Sequence, residues 1–570
     1  MSVQPQDIWP IPEETQRVAR AAFPEGNLYL HLRDELGEVY ADSQFADLFA
    51  SRGQPAESPG RLALITVMQF AEGLSDRQAA DAVRSRIDWK YALGLELTDP
   101  GFHYSVLSEF RARLIQGQTQ TQLLDTLLQA FKKRGWLKGR GRQRTDSTHR
   151  LAAVRQVNRL ELVGETVRRT LNELAMAAPE WLKGVAQPEW FRRYGQRFDR
   201  VRLPKSPVER EQLMATISAD GAALLQAVYA GQGREDLRQT RAVEVLRRVW
   251  IEQYWLEYDA EGQGHLRLRH DDNQPPGDLR IHSPYDLEAR YSAKRSTEWV
   301  GYKVYLTETC DEAEPHLITH VETTTAAVQD VTMSETIHAA LAAKDLLPSE
   351  HLMDAGFIEA DLLVEAKRDL GVEVCGPVKK DVRWQAQAGQ GYGLANLTID
   401  WAAQMAICPQ GQQSHVWSEQ TNAYDQAVIQ VRFPKSVCGV CTARSLCTRS
   451  KRGVRSLVLR PQAQHEALQQ NRQAQATPGF WQRYAKRSGI EGTISQGVRG
   501  FDLRRTRYIG LAKTGLQNIA TATAINLHCV RDWLDEVPRS LTRVSRFAQL
   551  APEPALVPVG WHLCFRQQYQ

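Results

Sequence analysis

The chain has 570 residues, more than a single hydrophobic core supports, so roughly two to four domains are expected. Its composition, 42% hydrophobic and 24% charged, is ordinary for a soluble globular protein. No stretch reaches the roughly 20 apolar residues of a membrane helix, and the first residues, MSVQPQDIWPIPEET, lack the basic and apolar regions of a secretory signal. We therefore expect a cytoplasmic protein with no membrane partner.

The net charge is only +4, but the charged residues are unevenly distributed. Residues 131–160 contain ten Lys or Arg and one acid, Asp146; residues 432–460 contain eight and no acid; residues 483–513 contain eight against two acids. A single block of this kind is usually a solvated face or a connector. Three blocks, two of which surround a candidate catalytic acid, favour a nucleic acid as the partner.

The first 135 residues are predicted to be mostly helical. Residues 61–73 (RLALITVMQFAEG) are apolar at helical spacing, and a second helix follows with Ser75 as its N-cap. Residues 102–114 and 119–131 form two further amphipathic patterns. Short helices joined by tight breaks fit a helix-turn-helix DNA reader or a plain helical bundle, and the bundle is the commoner outcome.

Strand patterns appear later in the chain. Residues 302–309 (YKVYLTET) alternate, residues 316–323 (HLITHVET) are rich in β-formers, and shorter strands are predicted at 352–354 and 372–378, with a helix at 360–369. Strands interleaved with helices indicate a mixed α/β core.

The segment between Arg150 and Asp278 differs from this core, because it is largely helical and then loop-like. It is predicted to be an insertion into the α/β domain or a separate module. Its aromatic residues Trp250, Tyr254 and Trp255 are expected in a hydrophobic core rather than on a stacking surface.

Two acids stand out from the pattern. Asp354 follows the apolar run 351–353, where a buried strand would end. Glu491 lies four residues after Arg487 and seven after Tyr484, so the three share one face if this stretch is helical. Acids in apolar or arginine-rich surroundings need a cation or a divalent metal as partner. The two acids therefore predict a carboxylate metal site that acts on phosphodiesters.

Asp146 is less clearly placed by its neighbours. The sequence around it, GRQRTDSTH, is too polar to predict a buried strand, so the pattern alone favours an N-cap or turn aspartate. A single acid among many basic residues would, however, be well placed to hold a metal beside bound DNA. Ser147 and His149 are expected to be strand-end or supporting residues rather than ligands.

Four of the eight cysteines lie close together in the sequence. Cys438, Cys441 and Cys447 form a C-x2-C-x5-C array, and Cys408 precedes them. In a reducing compartment clustered thiols are more often metal ligands than disulfides. Four thiolates suit a closed, structural zinc site, which we favour over a set of free thiols in a loop. Basic neighbours such as Arg444 would let this segment lie on a phosphate backbone.

Several ordered blocks resemble a known family. LSDRQAADAV and FHYSVLSEFRARL, within residues 61–114, resemble the InsH-type N-terminal domain of bacterial insertion-sequence transposases. RTDSTH, YSAKRSTEWVGYKVYLTETC, LMDAGF and IEGTISQGVRGFDLRRTRYIGLAKTGLQN resemble successive blocks of the same DDE transposases. The resemblance extends from about residue 40 to about residue 535.

The resemblance implies a ribonuclease-H-like catalytic core, an α/β fold in which a mixed sheet has flanking helices. An all-helical N-terminal domain would precede this core, and a helical insertion and a cysteine-rich insertion would interrupt it. The family's catalytic triad falls on Asp146, Asp354 and Glu491.

The resemblance also implies residues that contact DNA. The family signature Y-x2-R-x3-E-x6-K falls on Tyr484, Arg487 and Glu491, but its lysine position is Val498. The terminal cation is then supplied by one of two DNA-binding residues outside the signature, Arg499 or Lys513.

The expected segments follow from these blocks. They are a helical N-terminal domain for end binding or dimerisation (1–135), the first parts of the catalytic core (136–155 and 279–400), a helical insertion (156–278), a cysteine-rich zinc-binding insertion (401–460), C-terminal core helices with Glu491 (461–535) and a C-terminal tail (536–570).

The reaction implied by the resemblance is DNA transposition. Two Mg²⁺ or Mn²⁺ ions would bind the carboxylates, with Asp146 bridging them and Asp354 and Glu491 each holding one. Water would free a 3′-OH at the transposon end, and that 3′-OH would then attack target DNA. Arg487 would contact a phosphate, with Tyr484 beside it. The partners would be double-stranded DNA, as terminal inverted repeats and target, and a second copy of the chain, because two ends must be brought together.

Other functions stay open at the level of sequence. A catalytically silent DNA-binding protein descended from a transposase is compatible with the missing signature lysine. A metal-dependent nuclease that cleaves without joining would use the same acids. A purely zinc-organised interaction module would leave Asp354 and Glu491 unexplained.

Overall fold

The computed structural model describes residues 2–198, 203–230, 235–294, 296–379, 383–387 and 391–538. The expected C-terminal tail, residues 536–570, lies outside the described residues from position 539 onward. Within the ranges described, no helix is both long enough and apolar enough to cross a bilayer.

The N-terminal region is helical, as its periodicity predicts. Its helices are α1 (Glu13–Ala22), α2 (Leu28–Leu36), α3 (Pro59–Ala71), α4 (Asp76–Ser85), α5 (Ile87–Leu93), α6 (Ser105–Gln116) and α7 (Gln122–Lys133), with a 3₁₀ turn at Asp42–Leu48. The predicted cap is confirmed, because the Ser75 hydroxyl accepts a hydrogen bond from the Gln78 amide and the Gln78 side chain accepts one from the Ser75 amide. The apolar α3 is buried from Leu62 to Phe70.

Strand β1 (Arg142–Leu151) leads from these helices into the helical insertion. The insertion contains α8 (Arg159–Ala177), α9 (Pro179–Val185), α10 (Pro188–Tyr194), α11 (Pro207–Tyr229), α12 (Glu235–Arg238), α13 (Arg241–Gln253), β2 (Tyr254–Tyr258), β3 (Gly264–Leu268) and a 3₁₀ turn at Asp271–Asn273. Trp250 and Tyr254 are buried in its own core, as expected. Trp255 is instead 39% exposed, because it points outward from β2, where alternate side chains face opposite ways.

The central sheet joins β1 to the strands that follow the insertion. These are β4 (Arg290–Lys294), β5 (Thr297–Thr309), β6 (Ile318–Thr325), β7 (Glu350–Met353) and β8 (Glu373–Cys375), with a 3₁₀ turn at Asp330–Thr332 and helices α14 (Met333–Ala343) and α15 (Ala360–Leu370) between them. The strand order is β4-β5-β1-β7-β8, and β6 also pairs with β5. Strands β4, β6 and β1 are antiparallel to β5, whereas β1, β7 and β8 are parallel. The predicted mixed α/β core is confirmed.

Strand β1 is a central strand, which its polar sequence does not predict. It pairs with β5 from Gln143 to Leu151 and with β7 from Arg142 to Thr145. The buried Thr145 hydroxyl is 2.7 Å from the Thr307 hydroxyl and 2.7 Å from Nε2 of His351. Tertiary hydrogen bonds of this kind replace water, so a polar segment can occupy the middle of the sheet.

A smaller β unit carries the clustered cysteines. Its elements are α16 (Trp384–Gln387), a 3₁₀ turn at Leu394–Asn396, β9 (Thr398–Asp400), β10 (Met405–Ile407), β11 (Val416–Thr421), β12 (Ala427–Arg432), α17 (Lys435–Cys438), α18 (Arg444–Cys447) and β13 (Ser456–Leu459). Strands β11, β12 and β13 form an antiparallel sheet, and Val431, Phe433 and Leu457 are buried in its core.

The C-terminal helices return to the central sheet. They are α19 (Gln462–Gln475), α20 (Pro478–Ala485), a 3₁₀ turn at Lys486–Ser488, α21 (Gly489–Gly500) and α22 (Leu511–Leu534). Helix α22 packs on α3, α7 and β6. The side-chain amide of Asn526 on α22 bonds both the amide and the carbonyl of Ile318 on β6, at 2.7 and 2.8 Å. One hydrophobic core therefore extends from the N-terminal helices through α22 to the sheet.

Gly301 allows β5 to lie unusually close to the end of β1. This close approach predicts that a side chain at position 301 destabilises the protein. Its φ is +155°, and a β-carbon there would collide with the carbonyl oxygen of Arg150 and the amide of Ala152. Gly301→Ala should lower the free energy of unfolding by about 2 kcal/mol, measured by chemical denaturation. Gly479→Ala is the control, because a β-carbon on this α20 glycine would meet nothing and helices favour alanine. Equal stability of the two variants would contradict the close approach of β5 to the end of β1.

Candidate active site

Asp146 and Asp354 meet at the edge of the central sheet. Thr145 of β1 is the register partner of Met353 of β7, so the next residue on each parallel chain segment is an acid. Asp354 directly follows the end of β7, and the strand-end position predicted for it is confirmed. Each carboxylate accepts a hydrogen bond from the amide of the following residue, at 2.8 Å for Asp146 and 2.7 Å for Asp354.

The guanidinium of Arg487 lies between these two acids and Glu491. Its Nη2 is 2.6 Å from Oδ2 of Asp146 and 4.0 Å from Oδ2 of Asp354, and its Nη1 is 3.4 Å from Oε1 of Glu491. Arg487 lies in the 3₁₀ turn before α21 and Glu491 in the first turn of α21, four residues later. Three acids that are far apart in the sequence thus surround a single cation.

One of these ion pairs is much less exposed to solvent than the other two. The side chains of Arg487 and Asp146 are 11% and 13% exposed, whereas those of Asp354 and Glu491 are 44% and 67% exposed. The surroundings are rich in arginine, as expected, but only Asp146 among the acids is buried. The Arg487–Asp146 contact is therefore the desolvated one, and the other two are screened by solvent.

The charges in this pair affect each other's ionisation. Burial raises the pKa of Asp146 above its usual value, and the nearby Arg487 opposes that rise only in part. Burial by itself lowers the pKa of Arg487, but Asp146 and the other carboxylates raise it overall. Burial therefore disfavours the charged form of Asp146 even with Arg487 in contact.

A second buried ion pair positions the turn that carries Arg487. Arg144 lies two residues before Asp146 on β1, so both side chains face the same side of the sheet. Its Nε is 2.6 Å from Oε1 of the fully buried Glu308, and its Nη1 donates to the carbonyl of Lys486 at 2.6 Å. A β-carbon at Gly489 would collide with the same guanidinium, so a glycine is required where α21 begins.

Surface ion pairs join α20 to the same edge of the sheet. Arg483 of α20 donates to Glu350 of β7 at 2.8 Å and to Glu373 of β8 at 2.6 Å. Arg142 of β1 also contacts Glu350, at 2.5 Å. The ion pairs of Arg142 and Arg144 were not predicted from the sequence. Their alternation with Asp146 did, however, indicate that all three side chains share one face of β1.

Two arginines of the first basic block lie inside the protein. Arg144 and Arg150 are buried, and Arg150 donates to the carbonyls of Leu503 and Arg505 at 2.7 Å. The interpretation of residues 131–160 as a surface for nucleic acid is therefore wrong for these two arginines, because carbonyls and a carboxylate of the core already bind them.

Tyr484 packs within an aromatic cluster rather than standing free beside the acids. Its ring is stacked on Phe480 at 6.1 Å and contacts Trp481 edge-on at 5.9 Å. This cluster lies against the buried Leu352 and Cys375 of the sheet. Burial raises the pKa of Tyr484, so its hydroxyl stays protonated at neutral pH. Packing of this aromatic cluster against the sheet holds α20 beside the three acids.

The candidate cations beyond Glu491 are exposed. Val498, at the signature lysine position, packs against the main core, whereas Arg499 next to it on α21 faces solvent. Lys513 is exposed in the first turn of α22. In the part of the chain that the structure describes, the ion pairs of the three acids are all made with Arg487, so Arg499 and Lys513 stay available as predicted DNA contacts.

The four clustered cysteines line one small cavity. Cys408, Cys438, Cys441 and Cys447 enclose it together with Tyr392, Phe433 and Arg455. Over the ranges described, no three His, Cys, Asp or Glu side chains are arranged as a metal-binding group. The structure thus brings the predicted zinc ligands together, and also the predicted catalytic acids, without placing either set in a coordinating arrangement.

Comparison with known families agrees with this geometry. Residues 407–530, which include Glu491 and all four clustered cysteines, match the transposase DDE domain. Residues 17–113 match the transposase domain DUF772. Both matches are to transposase domains, and together they support an insertion-sequence DDE transposase. The expected family is confirmed at this level, whereas the InsH-type assignment of the N-terminal domain is not tested by these matches. No curated protein and no solved structure gives a significant match to this transposase.

The buried ion pair predicts how the transposase responds to loss of its central cation. Arg487→Gln leaves Asp146 desolvated without its partner, so the free energy of unfolding should fall by about 3 kcal/mol in chemical denaturation with chelator present. Adding Asp146→Asn removes the unpaired charge and should restore part of the loss. Equal stability of the single and double variants would show that the pair is not the desolvated contact.

Proposed function

We propose that this transposase cleaves DNA at the ends of its element and joins the freed 3′-OH to target DNA. The observation that carries the proposal is the convergence of Asp146, Asp354 and Glu491 around Arg487 at the open edge of the sheet. A catalytically silent descendant would have no need to keep three carboxylates together against their mutual repulsion.

The proposed catalytic core is ribonuclease-H-like. Its support is the mixed sheet, in which the antiparallel β6, β5 and β1 continue into the parallel β7 and β8. Helices α14, α15 and α22 contact strands of this sheet. Asp354 follows the end of β7, and Asp146 lies where the parallel pairing of β1 with β7 ends, which is where α/β sheets commonly place ligands.

The donor set fits divalent metal. Carboxylate oxygens are the ligands that Mg²⁺ and Mn²⁺ prefer, and here three carboxylates surround a single cation. Asp146 would be shared by two ions, with Asp354 and Glu491 holding one each. Bound there, the ions would stabilise the negative charge that accumulates on the attacking and leaving oxygens.

The reaction has two phosphoryl-transfer steps. In the first, water attacks the phosphorus at the transposon end, and the 3′ oxygen leaves and takes up a proton. In the second, this 3′-OH attacks a target phosphorus, and the 3′ oxygen of the target strand leaves. Arg487 would turn from the carboxylates towards a phosphate, while Arg499 and Lys513 would contact the DNA backbone further along. Two ends have to be held together, so the working form is a dimer on double-stranded DNA.

Asp354 provides the test of this proposal. Asp354→Asn should reduce both cleavage and joining by more than the ~100-fold that loss of an outer-shell partner costs, while binding of end DNA is kept. The assay uses a duplex labelled at its 3′ end and follows cleaved and joined products separately. Asp425→Asn, in the exposed β11–β12 turn where Asn is also tolerated at positive φ, is the matched control. Full activity of the Asp354 variant would refute the site, and cleavage without joining in the unmodified protein would favour a nuclease.

We also propose that the cysteine cavity holds a structural zinc ion. The support is that four cysteines, one after β10 and three in the segment from α17 to α18, line a single small cavity in an otherwise modest hydrophobic core. Zinc would replace core that this unit lacks, because small domains often need a metal to be stable. Basic residues beside it would lie along the DNA backbone.

Metal analysis tests the zinc proposal independently of activity. The purified transposase should contain about one zinc ion per chain, as a closed four-thiolate site does. Cys438→Ser should lower the zinc content, whereas Cys529→Ser on α22 should leave it unchanged. Zinc-free protein with an intact β unit would contradict the proposal.

A further inference from the structure

A small cavity is lined from Ser147, the residue after Asp146, and is separate from the three acids. Its volume is about 140 Å³, and it is lined by Ser147, Thr148, His149, Lys294, Trp299 and Lys303. This volume is below the ~300 Å³ from which small-molecule pockets usually start, so the cavity suits one phosphate with adjoining sugar atoms.

The β4–β5 hairpin forms one wall of this cavity. Gly301 lets β5 approach the end of β1 closely, through a backbone conformation that other residues rarely adopt. Trp299 lies two residues before it and contacts His149, with ring centroids 5.1 Å apart, and the Trp299 indole donates to the carbonyl of Tyr302 at 3.2 Å. The buried Trp299 therefore supports the wall, and the same hairpin carries Lys294, which also lines the cavity.

Positive charge dominates the lining. The Lys303 ammonium is already bound by Asp330 at 3.1 Å and by the carbonyl of Val328 at 2.6 Å. Arg504 lies against the other side of His149, 2.6 Å from Nε2. Lys294 is exposed at the hairpin tip and acts electrostatically on both Asp146 and His149. Burial and these two cations lower the pKa of His149 to about 4, so the ring is neutral at pH 7 and leaves the cations in excess.

We propose that this cavity binds a DNA backbone phosphate next to the scissile one, with Lys294 as its main cationic contact and the hydroxyl of Ser147, which shares the face of His149 on β1, as a further donor. The inference rests on the proposed function, because it places the bound strand across the same three carboxylates. Lys294 is then a positioning residue: it holds the neighbouring phosphate while the acids act on the reacting one.

A polyanion is the ligand that this geometry favours over a free anion. Two carboxylates act on the cations of this cavity, because Asp330 binds Lys303 and Asp146 lies within electrostatic reach of Lys294, and both oppose a small anion that binds alone. A DNA strand overcomes this repulsion, because its other phosphates are held elsewhere on the protein and each contact releases counterions. Contacts to phosphate carry no base information, so the effect of Lys294 should not depend on DNA sequence.

Salt-dependent DNA binding tests the proposal. The full-length transposase is titrated with a labelled duplex that carries the element's terminal sequence and with a scrambled duplex, in chelator and at several KCl concentrations. Lys294→Gln should weaken binding of both duplexes about three- to tenfold and reduce the slope of log K against log salt by about 1, as loss of one phosphate contact does. Lys294→Arg should keep the slope. Lys183→Gln, an exposed lysine paired with Glu180 in the helical insertion, is the matched control and should change neither quantity.

The outcomes separate this proposal from the catalytic one. An unchanged salt slope in Lys294→Gln, or the same loss in Lys183→Gln, would overturn the phosphate site, since Lys294 would then serve only as a counter-ion of Asp146. If Asp354→Asn stayed active while Lys294→Gln still lost one unit of slope, the phosphate site would stand and the catalytic assignment would fall.

Discussion

The buried ion pair between Arg487 and Asp146 is the contact on which the arrangement of the three acids depends. Asp146 belongs to the central strand of the sheet, and Arg487 to the turn between α20 and α21. Their attraction holds that turn at the sheet edge, and Glu491 follows one helical turn later. Without the cation, three carboxylates would repel one another, and Asp146 would be desolvated with no partner. The same crowding of acids makes the site suited to divalent ions.

The rest of the fold keeps this edge rigid. Arg144 binds Glu308 inside the sheet and also donates to the carbonyl of Lys486, so β1 holds the turn both at Lys486 and, through Asp146, at Arg487. Helix α22 gives the sheet and the N-terminal helices one continuous core. The N-terminal helices, which the sequence predicts as a separate domain, are thus packed on the central sheet. We expect motion of these helices to be coupled to motion of the sheet.

The distribution of basic residues along the sequence was a less direct guide to the DNA-binding surface than the position of each residue in the fold. Arginines of the first basic block look like a DNA-binding surface in the sequence, yet Arg144 and Arg150 are bound inside the core by a carboxylate and by carbonyls. Lys294, which lies outside the three blocks, acts electrostatically on Asp146 in addition to Arg487. A count of charges along the chain cannot separate these cases, because burial and pairing depend on residues far away in sequence.

The sequence by itself determined the helical N-terminal region, the mixed α/β core, the strand-end position of Asp354 and the family, because periodicity and ordered motifs are local properties. It also paired Arg487 with Glu491, since both lie on consecutive turns of one segment. Only the tertiary structure decided that the polar segment around Asp146 is a central strand, and that Arg487 is the cation shared by all three acids. These features depend on hydrogen bonds and ion pairs between residues that are hundreds of positions apart, for which a polar sequence leaves no periodic signal.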